Sequence, residues 1–371
     1  MNAQIGLVTY ALDRAKGGIA RYTRELAAAL LQAGLPLTML RAGPADKPNG
    51  DIGLPGAGLL PGLLTIGQAE IAWIARQRHL RLVHDPTGTA PLLLTGARRV
   101  VTIHDVIPYL YPETSTRLDR LIYRRWLPLA VQRVDAIITV SEQSRADIVR
   151  HLRVGPEMVT TIPLAAGRGF RPLAEPETRP ALQRYGIDFP YILYVGSIEA
   201  RKNLVRLLEA YARLRAWSQR WRLVIVGPRR GNSSPVFSAV RRLGLEPHIH
   251  FTGHVEEADL PALYNGAELF VFPSLYEGFG LPVLEAMSCG TPVVTSNTSS
   301  LPEVAGDAAI LVEPFDPEAI AGGMRQVLED PALAASLRSR ALARAGRFTW
   351  EQTARQTIAV YERVLEGRLA Q

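Results

Sequence analysis

Short runs of apolar and β-branched residues alternate from end to end with longer amphipathic segments of helical length. Such runs, with few polar positions inside them, read as strands buried on both faces, and the segments between them as covering helices. The pattern predicts strands at Ile5–Thr9, Leu37–Leu40, Leu82–His84, Val100–His104 and Ala136–Val140. A second set follows at Tyr191–Val195, Arg222–Val226, Ile249–Thr252, Leu269–Phe272 and Pro292–Thr295, with Ala309–Val312 last. Strands separated by helices pair in parallel, so the expected fold class is α/β, with two sets of strands in parallel sheets covered by helices.

Breaks in the pattern place the boundaries. Gly167 to Pro180 carries Pro172, Pro176 and Pro180 among charges, which suits neither strand nor helix interior. The expected domains are therefore residues 1–170 and 171–348. Gly43 to Gly62 is rich in Pro and Gly and reads as a long binding loop or, equally well, a disordered insertion. Thr349-Trp350-Glu351-Gln352 matches a capping box and opens a terminal helix over 349–371. That helix is free to cross back onto the N-terminal domain.

Length and charge sharpen this. A chain of 371 residues exceeds what one core usually supports. The net charge of +7 points to an anionic ligand, but the excess is spread without a Lys/Arg block, so no nucleic acid is expected. The basic residues are nearly all arginine, and the lysines are Lys16, Lys47 and Lys202. A single cysteine, Cys289, fits a reducing compartment, and no long uncharged apolar run or cleavable leader is seen, so the expected location is cytoplasmic.

The densest chemistry lies in Val271-Phe272-Pro273-Ser274-Leu275-Tyr276-Glu277-Gly278-Phe279-Gly280-Leu281-Pro282-Val283-Leu284-Glu285. A strand ends, a glycine-bearing loop follows, and Pro282 stands where a first-turn helix proline belongs. Glu277 on the loop and Glu285 on the helix can approach one ligand from different heights, with Gly278 and Gly280 admitting backbone N–H groups. Carboxylates accept bonds from sugar hydroxyls, and helix N–H groups favour phosphate. The bland alternative is two solvated glutamates near a helix start.

Glu, seven residues, Glu, enclosing Gly278-Phe279-Gly280-Leu281-Pro282, resembles the signature of glycosyltransferase family four, retaining enzymes of GT-B fold, in which two Rossmann-like domains face across a cleft. Gly196-Ser197-Ile198-Glu199-Ala200-Arg201-Lys202-Asn203, after the strand at Tyr191, is similar to the turn by which that family grips the donor diphosphate. Asn203 reads as an N-cap, with Arg201 and Lys202 at the helix mouth. Some members carry arginine where this chain has Ser197, which places more of the phosphate charge on Arg201. Gly17-Gly18 resembles the family's N-terminal loop against phosphates and acceptor, and His104, in Val100-Val101-Thr102-Ile103-His104-Asp105, the histidine that contacts the sugar near the reacting carbon. Ser141 reads as an N-cap. Gly253 and His254 resemble the turn whose backbone reads the base.

The resemblance implies a hexosyltransferase whose catalytic residues are His104, Arg201, Lys202 and Glu277. Donor binding is assigned to Gly17, Gly18, Gly196, Ser197, Arg201, Lys202, Gly253, His254, Glu277, Gly278, Phe279, Gly280, Leu281 and Glu285. Lys202 and Arg201 go to the diphosphate, Glu277 to the sugar and Glu285 to the ribose. The motif style is closest to bacterial mannosyltransferases of surface-polysaccharide assembly, which favours GDP-mannose as donor and a glycan or lipid-linked acceptor. No Asp-x-Asp pair occurs, so no metal and no cofactor is expected. The segment Arg117–Leu127 is basic, amphipathic and aromatic, suited to an anionic membrane surface or to packing on its own sheet. Two other functions share these features: a sugar-nucleotide epimerase or hydrolase of the same fold, and a non-enzymatic nucleotide-sugar binder.

Overall fold

The computed structural model describes residues 4–9, 12, 17–42, 51–55, 66–88, 93–94, 96–217, 219–230 and 233–367. The chain divides into two compact units, Met1–Leu164 together with Thr349–Gln371, and Ala165–Phe348. The first division falls ahead of residue 170 and of the proline-rich stretch.

In the first unit the strands are β1 (Ile5–Val8), β2 (Leu37–Ala42), β3 (Ile52–Leu54), β4 (Leu82–Asp85), β5 (Arg98–Thr102), β6 (Ala136–Thr139) and β7 (Val159–Thr161). They form one parallel sheet in the order β3-β2-β1-β4-β5-β6-β7. The central strands β1, β4 and β6 are buried at every position, as helices on both faces require. Strand β5 stops at Thr102, so His104 lies in the loop beyond it.

Two strands were not expected. β3 is three residues long inside the Gly/Pro-rich stretch and pairs with β2 through Leu40 opposite Ile52. So part of the expected loop is sheet, and most of the rest of 43–62 lies outside the described residues. β7, Val159-Thr160-Thr161, is likewise too short to show a period.

The terminal helix Trp350–Leu365 belongs to this first unit. Thr349 caps it, accepting from Gln352 N. Along its length Thr353 donates to the Pro163 carbonyl at 2.8 Å, Arg363 donates to Thr160 at 2.8 Å, and the Tyr361 hydroxyl meets His84 Nδ1 at 2.6 Å.

The second unit holds β8 (Tyr191–Val195), β9 (Arg222–Val226), β10 (Ile249–Gly253), β11 (Leu269–Phe272), β12 (Val293–Ser296) and β13 (Ile310–Val312). Their order is β10-β9-β8-β11-β12-β13, again all parallel. In both sheets the chain winds outward in one direction and then in the other, so the order reverses between β1 and β4 and between β8 and β11. Ligands of such sheets gather beyond the carboxyl ends of the strands at that reversal.

The proline-rich stretch does contain a helix, Glu175–Arg184, with Pro176 in its first turn and Pro180 inside it. The expectation of no helix there was wrong for a local reason. Pro180 is exposed, so the bond it cannot make to the carbonyl four residues back leaves that group in water. Glu177 holds the start, its carboxylate accepting from Ala174 N at 3.1 Å and pairing with Arg171 at 2.8 Å. Among the described residues no helix is long and apolar enough to cross a membrane.

Strands β8 and β9 can lie together at their carboxyl ends only because residue 227 has no side chain. Gly227 has φ +139°, and a Cβ there would fall 2.1 Å from the Gly196 carbonyl oxygen. Gly227→Ala should therefore cost about 2–4 kcal/mol in urea unfolding, by backbone displacement. Gly322, inside the helix Pro317–Glu329 with no atom within 4 Å of such a Cβ, is the control. Its alanine variant should be neutral or more stable by up to about 1 kcal/mol. Equal effects at the two positions would contradict the packing argument.

Candidate functional site

The loops leaving β8 and β11 adjoin at the reversal, and their side chains meet at one carboxylate. Glu277 Oε1 accepts from Lys202 Nζ at 2.6 Å and from Ser274 Oγ at 2.5 Å, and lies 3.2 Å from Arg201 Nη1. Arg201 also donates to Glu199 Oε1 at 2.7 Å and to the Tyr276 carbonyl. All of Arg201, Lys202, Ser274 and Glu277 are buried. Burial alone would raise the Glu277 pKa, but Lys202 and Arg201, with the bonds from Lys202 and Ser274, hold it below the usual carboxylate range. Burial pulls the Lys202 ammonium down, and Glu277 opposes that shift.

The surrounding backbone fixes this arrangement. Arg201 and Lys202 lie in a single 3₁₀ turn, Ala200–Lys202, which ends at Asn203 with φ +62°. Asn203 does not act as a side-chain N-cap: its Nδ2 donates to the Pro273 and Pro314 carbonyls at 3.0 and 2.6 Å, and its Oδ1 accepts from Arg206. It ties the β8 loop to the β11 loop instead. Leu275 N donates to the Arg201 carbonyl at 2.9 Å. From the β12 side, Ser299 Oγ accepts from Glu277 N, while Ser300 Oγ donates to the carbonyls of Glu277 and Phe279.

Beyond Glu277, the chain turns at Gly280 into the helix Leu281–Ser288, with Pro282 in its first turn. Gly280 has φ +111°, and a Cβ there would meet Leu301 at 2.8 Å, so this corner requires glycine. Phe279 is buried edge-on against Phe348, with ring centroids 6.0 Å apart. Glu285, buried within the helix, accepts from the Tyr264 hydroxyl at 2.9 Å.

The remaining candidates of this unit line the neighbouring strand ends. Gly196 N donates to the Val226 carbonyl at 2.9 Å, and the Ser197 carbonyl accepts from Tyr194 at 3.2 Å. Gly253 ends β10, its carbonyl accepting from Gly227 N at 2.8 Å. His254 follows on the surface, 3.6 Å from Glu256.

In the first unit, Gly17 precedes the helix Gly18–Gln32, whose Tyr22 reaches inward. The Tyr22 ring stands edge-on to His104 at 4.8 Å, and its hydroxyl pairs with Thr102 Oγ1 at 3.0 Å. Thr102 also meets His84 Nε2 at 2.8 Å, continuing through His84 to Tyr361. His104 Nε2 donates to the Pro86 carbonyl at 3.0 Å, and the His104 carbonyl accepts from Ser144 Oγ at 3.1 Å. Ser141 caps the helix Glu142–Leu152, accepting from Ser144 N at 3.0 Å. Burial pushes His104 down to about 4 and His84 to about 3.

Several participants were not foreseen. Ser274 precedes Glu277 by three residues, and Glu199 precedes Arg201 by two, spacings that a search for partners of the charged residues would have caught. Tyr264, Tyr22, His84 and Pro86 gave no such signal, because their partners are distant in sequence.

Comparison with known proteins adds the family. A model described as glycosyl transferases group 1 matches residues 180–344, and one described as Glycosyltransferase Family 4 matches residues 16–166. The chain is 38% identical over 294 residues to an O-antigen chain mannosyltransferase B of Escherichia coli, covering 78% of this chain and 76% of that protein. It is 30% identical to an MMP α-(1→4)-mannosyltransferase of Mycolicibacterium hassiacum, covering 78% and 72%. A sucrose-phosphate synthase structure from Thermosynechococcus elongatus superposes with a TM-score of 0.80 at 24% identity, over 99% of this chain and all of that one, and places the fold as GT-B.

The two depressed histidines give a signed pH dependence. Folded, they hold their protons only below about 3 and about 4; unfolded, they titrate near 6.5. In that window the unfolded chain binds more protons, so stability is complete above about pH 7 and falls as pH drops toward 4. The urea midpoint should decrease from pH 7 to pH 5, and His84→Gln should flatten that slope. A midpoint that stays level or rises on acidification would exclude neutral, buried imidazoles.

Proposed function

The chain belongs to glycosyltransferase family 4 and is a hexosyltransferase, and on that premise we propose that it moves mannose from GDP-mannose to a glycan hydroxyl. The observation that carries the site assignment is the buried cluster of Lys202, Arg201 and Glu277 at the sheet reversal. Among the described residues Lys202 Nζ makes one hydrogen bond, to Glu277, so donors remain for a leaving diphosphate. A preorganised cation in a desolvated site stabilises developing negative charge without a metal ion. Glu277 meets the donor sugar, Glu285 the ribose and His104 the sugar near the reacting carbon, while the backbones of Gly17, Gly18, Gly196, Ser197, Gly253, His254 and Gly278–Leu281 line the donor.

Mannose is favoured because both named relatives are mannosyltransferases. The α linkage in the name of the second favours retention, since GDP-mannose is itself α-configured. Without a residue assigned as covalent nucleophile, transfer on one face, with the leaving phosphate drawing the proton from the acceptor hydroxyl, balances the chemistry. The buried single thiol of Cys289 suits the cytoplasm.

The segment 117–127, continued by the helix Leu127–Val131, supports peripheral contact with an anionic membrane, as suits a lipid-linked acceptor. Its inner side packs Leu127, Ala130 and Val131 on the sheet, with Ile122 also buried, which meets the own-sheet alternative. Leu118, Leu121 and Leu129 remain exposed, beside the exposed Arg124 and Arg125.

A panel of nucleotide sugars scored for binding and slow hydrolysis tests the donor. GDP-mannose should be turned over best, in the presence of EDTA, with release of the α anomer. Lys202→Ala and Glu277→Ala should each lower kcat on the order of 10²–10³-fold. Preference for a UDP-sugar would remove the mannose assignment, and complete, reversible loss in EDTA the metal-independent one. Sedimentation with anionic vesicles should be salt-sensitive and weakened by Leu121→Glu; equal recovery with neutral vesicles would refute the membrane contact.

A further inference from the structure

Asp85, at the carboxyl end of β4, is 1% exposed and has no place in the reading above. Its Oδ1 accepts twice from Thr87, from the backbone N at 2.8 Å and from Oγ1 at 2.6 Å. These bonds close a turn over Pro86, whose ring restricts the backbone further. The turn directs the Pro86 carbonyl at His104 Nε2, 3.0 Å away. A carbonyl oxygen only accepts, so the proton of the neutral ring resides on Nε2 and Nδ1 is left as an acceptor. The Tyr22 edge at 4.8 Å and the Ser144 bond to the His104 carbonyl fix the position of the ring but do not select its tautomer.

We infer that Asp85 is a positioning residue for His104: through the Thr87 turn it holds the Pro86 carbonyl where it selects the Nε2–H tautomer, presenting Nδ1 as acceptor for a hydroxyl of the donor sugar. The inference rests on the assignment of His104 to that sugar. In this role neither Asp85 nor Pro86 needs to touch substrate. What they supply is orientation: a ring with its proton on Nδ1 would lose the Pro86 bond and reverse the sense of the bond to the sugar hydroxyl, which would then accept from the ring instead of donating to it.

The test combines imidazole ¹⁵N NMR at neutral pH with donor kinetics. Wild type should show His104 as the Nε2–H tautomer. Asp85→Ala should give a tautomer mixture and lower kcat by up to about 10²-fold, as small misplacements of a reacting group do. Its donor KM should change little, because the hydroxyl contact is one of many that hold the donor. Asp85→Asn keeps an oxygen acceptor for both Thr87 donors and should restore the tautomer and most of kcat. If Asp85→Ala does not fold, Thr87→Val removes one of the two bonds and gives the same readouts, reduced in size. An Asp85→Ala or Thr87→Val protein that retains the Nε2–H tautomer and wild-type kcat overturns the inference. His104→Ala with undiminished turnover would remove the sugar contact itself, while the spectra would still decide whether the turn sets the tautomer.

Discussion

A carboxylate taken out of water costs several kcal/mol unless charge and hydrogen bonds replace its hydration. Glu277 meets that requirement with Lys202, Arg201 and Ser274 on one oxygen, and everything else in the second unit's site follows from how those groups are held there. The two cations arrive from far earlier in the chain, on the β8 loop, Lys202 lying 75 residues before Glu277. Neutralising the carboxylate therefore fastens the β8 and β11 loops together. Asn203 and Leu275 add neutral bonds to the same joint, and Ser300 braces the β11 loop from the β12 side. The residues assigned to diphosphate and to sugar are thus one electrostatic unit, and moving either moves the other.

That unit exists only because of the strand order. β8 and β11 are neighbours because β9 and β10 are laid on the other side of β8, and β12 and β13 beyond β11. Close approach at the strand ends then becomes the limiting dimension, which Gly227 meets against the Gly196 carbonyl. In the first sheet the same reversal sets β1 beside β4, and β5 lies next in order. Their ends carry His84, Asp85, Thr102 and His104, which the helix side chain of Tyr22 completes. The first unit closes on itself through the terminal helix, whose Tyr361 hydroxyl ends the chain of bonds at His84.

How much of this was legible in the sequence depended on length and on partner distance. Strands of four or five residues with unbroken apolar character, such as Leu269-Phe270-Val271-Phe272, show their identity within the strand itself. Three-residue β3, interrupted by Gly53, and β7, two-thirds threonine, lack the unbroken apolar run that marks the equally short β13, and their pairing comes from neighbours elsewhere in the chain. Pro180 misled because proline's cost depends on whether the freed carbonyl meets water, which the sequence does not display. Within the site, Glu277 and Glu285 stood out by spacing, yet only Glu277 joins the cations, since a helix places Glu285 against Tyr264 rather than toward the β8 loop. Asn203 was misassigned for the related reason that a side chain able to cap can also bridge two carbonyls.

The position after the strand glycine shows how such a site divides labour. Ser197 stands there in this chain, and the expectation drawn from the family resemblance places more of the phosphate charge on Arg201. Its Nη1 and Nη2, however, engage Glu199, the Tyr276 carbonyl and Glu277, all within the two loops. Rigid bonds of this kind make Arg201 a strut whose charge acts through the field it adds at Glu277, which in turn steadies the ammonium beside it. Lys202, compact and with donors in reserve, is the group suited to follow charge as it moves onto a departing phosphate. On that proposed division the two cations are not interchangeable: a fork-shaped guanidinium holds the loops, and a point charge is left to meet the ligand.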